Sequence, residues 1–239
     1  MKLYVENLLG INITLSSRET ILEYIKKFLI EATKKPRKPF IIVTPNSEQI
    51  VFARHDTEFK RILNQADVAI PDGFPVARLL NILRIPGVEF MEDLVAMAAK
   101  EGYRIGLIGG RADLAIKALA CLQKKYQRLE GWAIEPESFN LTDVIRKIQV
   151  TDVKIVFVGL GAPKQEFYID TISKQCPIVL MSVGGSFDII AGKIQRAPMF
   201  IRSIGFEWAW RLVKEPWRWR RQVALVKFVW LVVRHRRMV

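Results

Sequence analysis

Short unbroken apolar runs alternate along this chain with longer segments in which apolar residues recur every third or fourth position. PFIIVTPN (39–46), ADVAIPDG (66–73), YRIGLIGG (103–110), VKIVFVGLGAPKQE (153–166) and PIVLMSVGGSFD (177–188) each pass from an Ile/Val-rich run into a glycine or polar turn. Strict alternation would mark a strand with one wet face, whereas a continuous run marks a strand covered on both faces, as in a parallel sheet between helices. SEQIVFARH and the amphipathic ADLAIKALACLQKKYQ supply helices between such runs. The pattern predicts an α/β fold of Rossmann-like type, a mostly parallel sheet with helices on both faces. A chain of 239 residues suffices for one sizeable core. The expected organisation is a Rossmann-like domain over 1–201 followed by a helical appendage over 202–239.

In open parallel sheets ligands bind beyond the carboxyl ends of the strands. The polar and glycine residues expected there are Thr44, Asn46, Asp72, Gly73, Gly109, Gly110, Gly159 through Gln165 (Gly161 and Lys164 included), and Gly184, Gly185 and Asp188. Helix starts after glycine turns present unpaired N–H groups and a positive dipole end, which suits phosphate. Neither GxGxxG nor GxxxxGK[ST] occurs, so the dinucleotide fingerprint and the P-loop are both unmet. That argues against a Rossmann oxidoreductase and leaves a phosphorylated ligand of another kind.

Charge sharpens the picture. The net charge is +13. From Arg202 onward the chain holds ten Lys or Arg against Glu207 and Glu215, a net of +8, which leaves +5 for the first 201 residues. This end also reads as helix: SIGFEWAWRLVKE, a break at Pro216, then WRWRRQVALVKFVWLVVRHRR. Residues 223–233 are apolar except Lys227; as a helix they span about 16 Å, half of a hydrocarbon layer of about 30 Å. Such a helix suits the membrane interface, with Trp217, Trp219 and Trp230 at headgroup depth and the basic residues on anionic lipid. Packing of the same helix on the core or on another subunit is the alternative. No nucleic-acid-binding module accompanies the basic end. Cys121 and Cys176 lack metal-ligand spacing and are expected as free, buried thiols. The N-terminus has no long apolar core or small-residue cleavage site, so no signal peptide is expected and the location is cytoplasmic.

Seven stretches now resemble a known family. TPNSEQI, PDGFPVARLL, RIPGVEF, GLIGG, GLGAPKQE, GGSFDIIAGKIQRAP and FEWAWRLVKEPWRWRRQ stand in the order and spacing of the WecG/TagA/CpsF glycosyltransferases, over roughly residues 8–222, with Glu89 where the family often carries Asp. The resemblance implies transfer of an N-acetylmannosamine-type or related sugar from a UDP-sugar to a polyprenyl-diphosphate-linked sugar at the cytoplasmic membrane face, in cell-wall or surface polysaccharide synthesis. It makes 1–201 the UDP-sugar-binding catalytic domain and the protein peripheral on the inner membrane face. A non-catalytic nucleotide-binding membrane scaffold remains the alternative, and homo-oligomerisation is left open.

The family's proposed base aligns with Asp72, which would take a proton from the acceptor hydroxyl as it attacks the anomeric carbon. The alternative for Asp72 is a cap on the helix starting near Phe74. Thr44, Asn46 and Gln165 are the further catalytic candidates by resemblance, and Asn46 is equally suited to cap SEQIVFARH. No Asp-x-Asp pair is present, so metal-independent transfer is expected, without a cofactor. Glycine-turn amides, Lys164, Arg84, Arg196 and the tail arginines Arg211, Arg218 and Arg221 then offset the charge of the leaving diphosphate. Asp188 is a candidate uridine contact or a cap for the next helix.

Overall fold

The computed structural model describes residues 2–31, 38–135, 140–203, 205–214, 216 and 219–236. The chain opens with an antiparallel hairpin, β1 (Val5–Leu8) and β2 (Ile11–Thr14), followed by α1 (Arg18–Glu31). Then come β3 (Phe40–Val43), α2 (Ser47–Ala53), α3 (Thr57–Gln65), β4 (Val68–Ala69), α4 (Phe74–Leu79) and α5 (Gly87–Glu101). Next are β5 (Ile105–Gly109), α6 (Leu114–Lys125), β6 (Gly131–Ile134), α7 (Leu141–Val150), β7 (Ile155–Gly159) and α8 (Lys164–Ser173). β8 (Val179–Ser182), α9 (Ser186–Ile190), α10 (Met199–Ser203), α11 (Glu207–Lys214) and α12 (Trp219–Arg236) complete the order.

β3 through β8 form a six-stranded sheet in the order β4-β3-β8-β7-β5-β6, every pairing parallel. FIIV, IGLIG, IVFVG and VLMS, the four inner strands, are buried at every position. Their side chains divide by alternation. Phe40, Ile42, Ile105, Leu107, Ile155, Phe157, Val179 and Met181 join one hydrophobic layer with α1, α5 and α6. Ile41, Val43, Ile108, Val156, Val158 and Leu180 join the other, with α2, α3, α7, α8 and α12. The Rossmann-like fold expected from the run pattern is present, with helices on both faces.

Local signals set the helix ends. Asn46 caps α2 in a capping box: its side chain accepts from the Gln49 backbone N–H, and the Gln49 side chain accepts from the Asn46 N–H. Asp56 caps α3 and Asn140 caps α7, while Gly102, at φ 71°, ends α5. The hairpin leans on the short edge strand β4, where Thr14 Oγ1 accepts from the Ala69 N–H at 3.0 Å, so one sheet edge is covered.

The basic end consists of α10, α11 and α12. Phe228 and Val232 of α12 are buried in the layer that contains Ile50, Val51 and Ala53 of α2. Trp219, Val223, Val226, Val229, Trp230 and Val233 of the same helix are exposed. Among the described residues no helix is long and apolar enough to cross a membrane. Cys176 is buried as expected, but Cys121 is exposed, on the solvent side of α6, where the helix turns Ala118 and Leu122 inward.

Candidate active site

The turns after β3, β4, β5, β7 and β8 and the start of α11 surround a cleft of about 600 Å³. Adjacent strands β3 and β8 send their following helices to opposite layers, α2 to one and Phe187 of α9 to the other. Such a reversal opens a crevice at the strand ends, where open α/β sheets hold ligands.

Asp72 lies in the cleft wall after β4. Its Oδ1 accepts from the Gly87 backbone N–H at 3.0 Å and from Arg84 Nη2 at 3.4 Å. Its Oδ2 makes no hydrogen bond among the described residues. Asp72 does not cap α4: Gly73 occupies that cap position, and α4 begins without a side-chain cap. The carboxylate instead takes the first N–H of α5, fifteen residues on.

Arg84 also donates through Nε to the Asp72 carbonyl, and through Nη1 to Glu207 Oε2 at 2.8 Å. Burial works against the Arg84 charge, yet Asp72 and Glu207 beside it hold its pKa above the ordinary value. Glu207 lies 4.0 Å from Arg196, and Arg196 lies 3.0 Å from Glu89, which also pairs with Arg202 and Arg18. A chain of alternating charge thus runs from Asp72 through Arg84, Glu207, Arg196 and Glu89 to Arg202, and joins α10 and α11 to the loop after β4 and the start of α5. The tail already lines the cleft, through Gly205, Glu207, Trp208 and Leu225. The ionic contacts of Glu207 with Arg84 and Arg196 hold it there.

Thr44 is buried at the end of β3, with Oγ1 3.5 Å from the Ser182 carbonyl oxygen. Asn46 uses its side-chain oxygen for the α2 cap, accepting from Glu48 and Gln49, and its NH2 group makes no hydrogen bond among the described residues. Capping and a cleft position therefore coexist. Gln165, also buried, accepts at Oε1 from the Gly184 N–H at 2.9 Å and donates through Nε2 to Glu166 Oε1 at 2.8 Å. Glu166 is fully buried and also receives Gln49 Nε2 at 2.9 Å. Burial pushes its carboxyl up to about 7, against the opposing effect of the bonds from Gln165 and Gln49 and of the nearby Glu166 backbone N–H and Ser182 hydroxyl.

Gly110, Gly159, Gly161, Lys164, Gly184, Gly185, Asp188 and Arg196 all line the same cleft. Gly109 does not line it; it lies beneath, at φ 105°, where an added Cβ would stand 2.8 Å from the Gly159 backbone. Only glycine allows that approach of β5 to β7. Asp188 lies within the first turn of α9 and makes no cap. The side chains of Arg211 and Arg221, and Arg218 altogether, fall outside the described residues. No cluster of three His, Cys, Asp or Glu side chains suited to a metal occurs among the described residues.

A glycosyl transferase family model, WecG/TagA/CpsF, matches residues 6–239. The chain belongs to this family. As a member it is a glycosyltransferase of cell-wall polysaccharide synthesis, with a sugar donor and an acceptor as substrates. Three residues at or directly behind the cleft carried no role in the sequence reading: Gln49, Glu166 and Glu207. Gln49 was recoverable from the Asn-x-x-Gln spacing of a capping box. The other two are charged residues at helix starts, an ordinary solvated arrangement until the tertiary contacts are known.

Proposed function

We propose that the protein is an inverting, metal-independent transferase that moves an N-acetylmannosamine-type or related sugar from a UDP-sugar to a polyprenyl-diphosphate-linked sugar, at the inner face of the cell membrane. The observation that carries this reading is the Asp72 carboxylate in the cleft wall, with Oδ1 fixed by Gly87 and Arg84 and Oδ2 unengaged. Oδ2 is the atom that takes the acceptor hydroxyl proton while that oxygen attacks the anomeric carbon and the bond to the diphosphate breaks on the opposite face. A fixed carboxylate loses little entropy in reaching this geometry.

The leaving diphosphate needs positive charge. Arg84, Arg196 and Lys164 face the cleft and supply it in place of a divalent cation. Asn46 and Gln165 position the donor, Thr44 supports the wall between them, and the turn glycines Gly161 and Gly185 give backbone amides close access to phosphate, while Gly110 and Gly184, whose N–H groups are bonded to the Gly159 carbonyl and Gln165 Oε1, keep the wall clear of side chains. Asp188 serves the uridine end. On α12 the exposed residues Trp219, Val223, Val226, Trp230 and Val233 recur at helical spacing, opposite the buried Phe228 and Val232. With the basic residues around them they form the surface that rests on anionic lipid and brings the cleft to a lipid-borne acceptor.

The test is UDP release from a panel of UDP-N-acetylhexosamines with a lipid-diphosphate acceptor, with and without EDTA. Acceptor-dependent release that EDTA leaves unchanged is expected. Release abolished by EDTA and restored by added divalent metal contradicts the metal-independent reading. No release with any donor favours a nucleotide-binding scaffold.

A further inference from the structure

We propose that Glu166 is a positioning residue for the transfer reaction: a buried carboxyl that, as the neutral acid, holds the Gln165 and Gln49 amides in the orientation the cleft needs. This rests on the transferase reading above and deepens it. Three observations carry it.

First, Glu166 is fully buried and accepts two neutral N–H groups on one oxygen, from Gln165 Nε2 at 2.8 Å and Gln49 Nε2 at 2.9 Å. Second, each amide is thereby turned. With its nitrogen on Glu166, Gln165 directs Oε1 to the Gly184 N–H in the turn after β8. In the same way Gln49 directs Oε1 to the Asn46 N–H at 3.1 Å. Glu166 thus stands at the junction of two relays that end on cleft-lining groups, Gly184 and Asn46. Third, Glu166 Oε2 and Ser182 Oγ are both buried without a hydrogen-bond partner among the described residues, although Ser182 lies close enough to lower the carboxyl's pKa. An ionised carboxylate would bury a charge among neutral donors, with no cation beside it among the described residues, a costly arrangement. A proton on Oε2 removes the charge and gives this oxygen a donor for the Ser182 hydroxyl.

The surroundings admit this state. From β8 the facing group is Ser182, and from α2 it is Gln49, with Glu48 beside it at the cleft. The charged groups where α3 packs on α8 are Arg61, Asp170 and Lys174, which pair with one another. Lys164, at the start of α8, is exposed at the cleft rim. Burial raises the Glu166 carboxyl to about 7, so the neutral acid gives way to the carboxylate as pH rises through neutrality. The oxygen that faces Ser182 then changes from donor to acceptor, and the relays lose their fixed end.

The experiment compares pH profiles of turnover for the wild type, Glu166→Gln and Glu166→Ala, together with a 13C NMR titration of the Glu166 side-chain carboxyl in the full-length protein. Glutamine reproduces the neutral acid: one oxygen for the two amides and an NH2 towards Ser182. Glu166→Gln is expected to retain wild-type turnover below neutrality and to lack the decline that the wild type shows as pH rises through about 7. Glu166→Ala frees both amides and is expected to lose on the order of 10²-fold in turnover at every pH. The NMR titration is expected to place the carboxyl near 7 and can be read whether or not transfer occurs, so it separates failure of this inference from failure of the transferase reading. A carboxyl that titrates in the ordinary glutamate range, an alkaline decline that persists in Glu166→Gln, or an unimpaired Glu166→Ala overturns the proposal. If Glu166→Ala does not fold, Glu166→Gln and the titration still decide.

Discussion

At the residue scale, the cleft combines two carboxyl groups in opposed environments. Asp72 is about one-third exposed and held by an arginine and a backbone N–H, whereas Glu166 is buried among amides. The buried group has a consequence for folding that does not depend on catalysis. Below the ordinary value of 4.5, folded and unfolded chains both carry the proton and Glu166 costs nothing. Between 4.5 and about 7 the unfolded chain gives up its proton while the folded chain keeps it, so stability falls across that interval and then levels off. The full effect is on the order of 3 kcal/mol at about 1.4 kcal/mol per pH unit. Melting curves of Glu166→Gln and the wild type from acid to neutral pH check this: the variant's advantage should grow through the interval and then stay constant. A difference independent of pH would contradict it.

At the element scale, α12 carries two apolar faces with different tasks. Phe228 is fully buried against the α2 layer, and truncation of such a side chain leaves a cavity. Phe228→Ala should cost about 3–5 kcal/mol in chemical denaturation. The opposite face is open, and Arg234 lies over the Trp230 ring at 5.3 Å. The double substitution Val226→Asp, Trp230→Asp should change stability by no more than about 0.5 kcal/mol, as at other exposed positions. It should also strongly reduce cosedimentation with vesicles rich in phosphatidylglycerol. Unchanged cosedimentation would remove the lipid surface from the account, and an accompanying large loss of stability would show that the face is already covered by protein, such as a second copy.

At the scale of the whole molecule, what was legible in the sequence was what local pattern dictates. Strands buried on both faces must be continuous runs of apolar, often β-branched residues, so PFIIV, KIVFV and PIVLM identify themselves, and the turns after them place Thr44, Asn46, Asp72, Gly161 and Gly184 along one cleft. The hairpin was not legible: VENL and INIT are brief, and β1 is largely exposed. Nor were the roles of Glu166 and Glu207, because their partners Gln49 and Arg84 lie 117 and 123 residues away. A carboxylate at a helix start reads as solvated or dipole-stabilising until the opposing element is known. The Arg84–Glu207 pairing ties the basic tail to the loop after β4 and brings α11 into the cleft wall. The central claim is that this cleft transfers a sugar by way of the Asp72 carboxylate. Its most direct measurement is turnover of Asp72→Asn on a lipid-diphosphate acceptor, with UDP affinity measured on the same preparation by calorimetry. The account predicts a loss of about 10²–10⁴-fold in turnover with UDP binding unchanged; turnover equal to that of the wild type would contradict it.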